Sequence, residues 1–208
     1  MARNGRKKDH LTVLFIFTQT IYIISTSLGT RIGGFVKNGD KIHLLNQFGT
    51  KSYLDTYVGL TGKYELQTST SPNRDSGSGT WEIRSTYGFG GPIKYGDKIH
   101  LINQYGKKSY LDTCGHSSCS GGTYSVQTST RSNRDSGSGT WEIKSATGTN
   151  IGELIKNGDK IHLINQYKKK SYLDTCGGSN GKYGVQTSTS PNRNTGSGTW
   201  KIILEGCI

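Results

Sequence analysis

Apolar residues are scarce in this chain: they make up 31% of its 208 residues, while glycine alone contributes 30. That is too little apolar material for a large helical core. Short strands need less of it, because each buries only alternate side chains, so an all-β fold is the first expectation. The catalytic vocabulary is equally thin. No HExxH pair, no phosphate-cradling glycine loop and no Ser-His-Asp order occurs, and no paired carboxylates stand outside the repeated segments. These absences argue against an enzyme, and no cofactor is expected. Acidic residues are in deficit too, 14 Asp and Glu against 26 Lys and Arg, for a net charge of +12. Such a charge draws anionic partners, whether sulfated glycans, anionic membranes or nucleic acid, the last least expected of a secreted protein. A charge kept only for solubility is the plain alternative.

The amino terminus has its own composition. Arg3, Arg6, Lys7 and Lys8 precede the apolar stretch from Leu11 to Ile24, and the small residues Ser25, Thr26 and Ser27 follow. This order reads as a secretory signal over residues 1–29, cleaved after Ser27 or Gly29, which places the product outside the cell. An uncleaved anchor fits less well, because Thr18, Gln19 and Thr20 interrupt the stretch and leave it short for a full span. A third reading makes Ile21 to Ile24 a strand, since IYII resembles the WKII near the carboxyl end. The first 27 residues carry four basic residues and one acid, so without them the net charge falls from +12 to +9.

The rest of the chain, 30–208, repeats one unit three times: Gly39 to Ser85, Gly96 to Ser145 and Gly158 to Leu204. Each runs through GDKIHL, SYLDT, QTST and GSGTW, a period near sixty residues that is too long for most helical solenoids or propeller blades. The second unit shows four strands, Lys98 to Gln104, Ser109 to Thr113, Tyr124 to Thr128 and Thr140 to Lys144, separated by turn-forming segments. Four strands in three units make twelve, the strand count of a β-trefoil, in which a six-stranded barrel is capped by three hairpins. Trp81, Trp141 and Trp200 each share a strand face with an isoleucine two residues on, which marks them as core, together with Leu54, Leu111 and Leu173. His43, His100 and His162 recur in IHL and are read as outward-facing, at the surface or the barrel end.

Four cysteines, Cys114, Cys119, Cys176 and Cys207, all follow the signal segment, so an oxidising compartment would pair them. Cys114 and Cys119 stand close enough to close a small ring, and Cys207 is then the natural candidate for Cys176, although three pairings are open. A zinc site from Cys114, His116 and Cys119 lacks the CxxC spacing and a second ligand pair.

The units resemble the ricin-type β-trefoil lectin superfamily. YLDT stands where that family has a CLDV-like second strand, VQTS or LQTS where its third strand carries VQ, and GTW where it has QxW. The resemblance implies sugar binding by Asp55, Asp112 and Asp174 and by Gln67, Gln127 and Gln186. Two departures stand out: Gly79, Gly139 and Gly198 replace the glutamine of QxW, and Ser69, Ser129 and Ser188 replace the stacking aromatic. Fibroblast growth factors, fascins and Kunitz-type inhibitors share the expected fold with other functions.

Sugar recognition needs groups that bind paired hydroxyls and an apolar face for the ring. Tyr64, Tyr124 and Tyr183 are candidates for that face. Asn73 with Arg74, Asn133 with Arg134, and Asn192 with Arg193 are candidates to approach from the loop before the fourth strand. Each aspartate is also able to shape its turn, and each arginine to tie down its loop. Asn194 stands where the other units have Asp75 and Asp135, so this loop carboxylate is not needed in every unit. Lys107 and Lys108, with Lys168, Lys169 and Lys170, form basic turns suited to a sulfated polysaccharide or an acidic membrane. The expected function is therefore a secreted lectin with up to three equivalent sites, avid for multivalent glycans. The alternative is a basic, toxin-like module acting on a protein, a polyanion or a membrane.

Overall fold

The computed structural model describes residues 34–59, 64–88, 90–117 and 119–207. The signal segment lies outside the described residues. Among the described residues the regular elements are twelve strands: β1 Lys41–Asn46, β2 Ser52–Val58, β3 Tyr64–Ser69, β4 Trp81–Ser85, β5 Lys98–Asn103, β6 Ser109–Cys114, β7 Ser125–Ser129, β8 Trp141–Ser145, β9 Lys160–Asn165, β10 Ser171–Ser179, β11 Lys182–Ser188 and β12 Trp200–Leu204. In the second unit β7 and β8 begin one residue after the expected Tyr124 and Thr140. Thr140 closes a turn through its N–H to the Gly137 carbonyl instead.

The expected β-trefoil, a six-stranded barrel with hairpins as a separate cap, is corrected by the strand pairing. All twelve strands form one antiparallel sheet. The first and fourth strands of the units close a ring through β1–β4, β4–β5, β5–β8, β8–β9, β9–β12 and β12–β1. The hairpins β2–β3, β6–β7 and β10–β11 do not sit apart from it. Leu45↔Tyr53, Ile102↔Tyr110 and Tyr172↔Ile164 carry the ladder from the ring into them, and β3, β7 and β11 pair with one another at the far end. The second strands thus continue the wall, giving one sheet closed on itself, which leaves few unpaired edges.

The apolar alternation supplies the core. Ile99 and Leu101 are buried while His100 and Ile102 on the other face stay half-exposed. Trp81, Trp141 and Trp200 are fully buried in one cluster with Leu54, Leu111 and Leu173. Each indole N–H donates to the carbonyl of the leucine in its own unit, at 3.1, 2.9 and 3.0 Å, so the polar end of each ring is satisfied inside the core.

The histidines keep the face opposite the core, as expected, but the loop before the fourth strand covers them, so that His43 and His162 are buried and His100 half-buried. The Nδ1–H of His43, His100 and His162 donates to the carbonyl of Gly79, Gly139 and Gly198 at 2.9, 2.8 and 2.8 Å. Each ring also meets Tyr53, Tyr110 or Tyr172 edge-on. Burial holds the His43 imidazole below its ordinary pKa, against the pull of the glycine carbonyl. The cysteine pairing differs as well: Cys119 bonds Cys176, 57 residues on, rather than closing the ring with Cys114. This also takes Cys119 out of the zinc set.

Candidate functional site

The aspartates at the end of each SYLD sequence point into the protein. Asp55, Asp112 and Asp174 have no exposed surface. The Ser78 hydroxyl donates to Asp55 at 2.9 Å, and the Ser138 hydroxyl to Asp112 at 2.8 Å. Arg74, Arg134 and Arg193 lie 3.2, 3.4 and 3.3 Å from the three carboxylates. The same guanidinium groups donate to the carbonyls of Thr56, Thr113 and Thr175. Burial raises all three carboxyls above the ordinary aspartate pKa, and the serine hydroxyls and arginines pull the other way. Asn73, Asn133 and Asn192 accept from the N–H of Gly79, Gly139 and Gly198. The Asp, Asn and Arg of each unit therefore meet as a knot that fastens the loop before the fourth strand onto the second strand.

That knot accounts for the glycines where the ricin-type pattern has glutamine. A Cβ at Gly79, Gly139 or Gly198 would overlap the carbonyl oxygen of Pro72, Ser132 or Pro191. The loop backbone takes the room that a side chain would need.

The tyrosines act between units. Tyr64 packs edge-on against Tyr105 of the second unit, Tyr124 against Tyr167 of the third, and Tyr183 against Phe48 of the first. The hydroxyls of Tyr124 and Tyr183 accept from the N–H of Lys169 and Thr50. Each unit's third strand is thereby clipped to the first turn of the next.

At the junction of the first and second units, residues expected to serve separate sites come together. Tyr64 from β3 borders a cleft of about 310 Å³ with Lys107, Ser109, Gln127 and the hydroxyl row Thr128, Ser129 and Thr130. The composition repeats QTST in every unit, but nothing in it shows that the ring beside one QTST comes from the preceding unit. Ser109 and the hydroxyl row were missed by the sequence reading for that reason. Gln67 lies in a separate cleft of about 430 Å³ with Tyr57, Leu66, Lys182 and Tyr183.

The corresponding place at the junction of the second and third units is closed. Gln186 and Ser188 are buried and Thr187 is fully so, and Thr187 exchanges backbone bonds with Thr123 and Tyr124. The amide of Gln186 sits between the Ser117 hydroxyl and the Arg193 guanidinium, which also donates to the Ser120 carbonyl. The Cys119–Cys176 bond pins this loop of the second unit onto β10.

No protein-family model matches the chain, and no curated protein matches it. Solved structures do. A Caenorhabditis elegans protein of unknown function is similar at 19% identity and a TM-score of 0.61, covering 83% of this chain and 97% of its own. The SDF2-like protein from Arabidopsis thaliana is similar at 16% and 0.61, covering 81% and 94%. The S. cerevisiae protein O-mannosyltransferase Pmt1–Pmt2 complex bound to the sugar donor is similar at 14% and 0.64, covering 86% of this chain and 26% of that one. At such identities the likeness is one of fold alone, and in the yeast protein it is confined to 26% of that chain.

Proposed function

We propose that this protein is a secreted, non-enzymatic carbohydrate-binding protein whose saccharide site is the cleft between Tyr64 and Gln127. One observation carries the reading: an aromatic ring from one unit borders the same cleft as an amide and a row of hydroxyls from the next. The serine at 129 leaves the third strand without a stacking ring, and Tyr64 of the neighbouring unit supplies one. Gln127, Ser109 and the hydroxyls then meet the sugar's paired hydroxyl groups, and Lys107 stands at the rim. A site that orients by few polar groups around one apolar face is the usual form for a small ligand. The sugar donor named with the yeast complex accords with a saccharide ligand, and the composition of residues 1–29 supports secretion.

A glycan array followed by calorimetric titration tests this. Tyr64→Ala is expected to weaken the best glycan by about tenfold, near 1.4 kcal/mol. A well-folded protein that binds no glycan on the array would remove the proposal.

A further inference from the structure

Where the third strands meet, each brings its glutamine opposite one residue of the preceding unit, counted round the ring. Gln127 faces Glu65, Gln186 faces Ser125, and Gln67 faces Gly184. Gly184 alone of the three offers no side chain, so room is left beside Gln67. A second departure from the repeat lies at the same place: Tyr57 stands where the sister units carry Cys114 and Cys176, which puts a phenol ring where they have a thiol group. β10 also runs on to Ser179 and supplies a wall. The result is the cleft of about 430 Å³ bordered by Tyr57, Leu66, Gln67, Ser179, Lys182 and Gly184.

Gln67 is only 8% exposed, yet its side-chain amide has no hydrogen-bond partner among the described residues. Its counterpart Gln186 is held between Ser117 and Arg193. A buried amide is ordinarily hydrogen-bonded, and one that opens onto a cleft is placed to bond a ligand instead. Lys182 is exposed at the rim and forms no ion pair among the described residues. The Tyr57 hydroxyl donates to Glu65 at 2.6 Å, which holds the ring in place, and no other ring packs on it among the described residues. No carboxylate borders the cleft, so an ammonium, an amide and a hydroxyl face it beside the apolar Leu66 and Tyr57. We propose that this cleft binds an acidic saccharide, with the carboxylate of a uronic-acid residue meeting Lys182 and the Gln67 amide while the sugar ring lies on Tyr57 and Leu66.

The donors match a carboxylate in number and charge. One ammonium beside one neutral amide suits a single negative charge shared by two oxygens. A phosphate or sulfate group draws instead on clustered cations or on a row of backbone N–H groups, and neither borders this cleft. An apolar side with a few polar groups set against it suits a small ring-shaped ligand. The inference rests on the reading of the chain as carbohydrate-binding, but it concerns a cleft at a different junction from that of Tyr64, so the two sites are separable by experiment.

An NMR titration of the full chain with methyl β-glucuronide, with methyl β-glucoside and acetate as parallel probes, tests the proposal. The glucuronide should bind about tenfold more tightly than either probe, and it should shift the side-chain amide resonances of Gln67. Lys182→Gln, at an exposed position, should cut the preference over the glucoside to about twofold. Gln67→Ala should weaken glucuronide binding about fivefold. Tyr64→Ala should leave glucuronide binding unchanged, so failure of the other cleft does not mask this result. Glucuronide binding lost with Tyr64 would assign the ligand to that other cleft and overturn the proposal. So would equal affinity for the glucoside or for acetate, a parental preference in Lys182→Gln, or a parent that does not bind the glucuronide.

Discussion

The junction of the first two units and the junction of the last two are built from the same residue types, yet one is an open cleft and the other is closed. Tyr64, Gln127, Thr128 and Ser129 keep part of their surface. Their counterparts Tyr124, Gln186, Thr187 and Ser188 are buried. The difference comes from residues outside the repeat: the loop of the second unit with Ser117, Ser120 and Cys119 lies over Gln186 and Arg193, and a disulfide secures it. Repetition therefore makes the frame, and departures from repetition decide where a ligand can enter.

The largest expected effect addresses what the two junctions share. Gly139→Ala and Gly198→Ala each drive a Cβ into a loop carbonyl, and each should cost about 3 kcal/mol in urea unfolding. A harmless Gly198→Ala beside a damaging Gly139→Ala would break the claim of a common frame. Next comes what separates them. Reducing Cys119–Cys176 with a thiol, or replacing Cys119 by Ser, should cost about 2–4 kcal/mol. Hydrogen exchange should then rise in the 115–123 loop and around Gln186, while amides around Gln127 keep their protection. Uniform loss of protection would mean that the loop is no separate cover.

The smallest effect is in pH dependence, where both junctions should behave alike. Burial raises the folded-state pKa of Asp112 and Asp174 above the ordinary 3.8. The stability each contributes is then full below that ordinary value and is lost as pH rises through the raised one. Asp112→Asn and Asp174→Asn should therefore gain on the parent as pH increases through this window, measured by urea midpoints at acidic and neutral pH. A gain on acidification would show carboxylates held ionised by their arginines rather than disfavoured by burial.

Much of the frame is legible in the sequence. Trp141, Leu111, Ile99 and Leu101 announce an inner face because a strand buries every second residue, and the glycine-rich segments between them mark the turns. The closure into one sheet was not legible, since Leu45↔Tyr53 and Glu65↔Gln127 are joined through backbone groups that every residue carries. The cysteine pairing was hidden for a related reason. Cys119 has a near neighbour in sequence, but the loop carries it to β10 of another unit. The aspartates and asparagines were found as a recurrent polar set, yet recurrence does not tell a ligand group from a buried anchor. Burial of Asp112 beneath Ser138 and Arg134 does. Tyr64 and Gln127 were each picked out in sequence, and only the fold joins them.

The most direct test of the account is titration of the best array glycan into two variants, Gln127→Ala at the open junction and Gln186→Ala at the closed one. The account predicts about tenfold weaker binding for the first and parental affinity for the second. Parental binding by Gln127→Ala, or an equal loss in both, would contradict it.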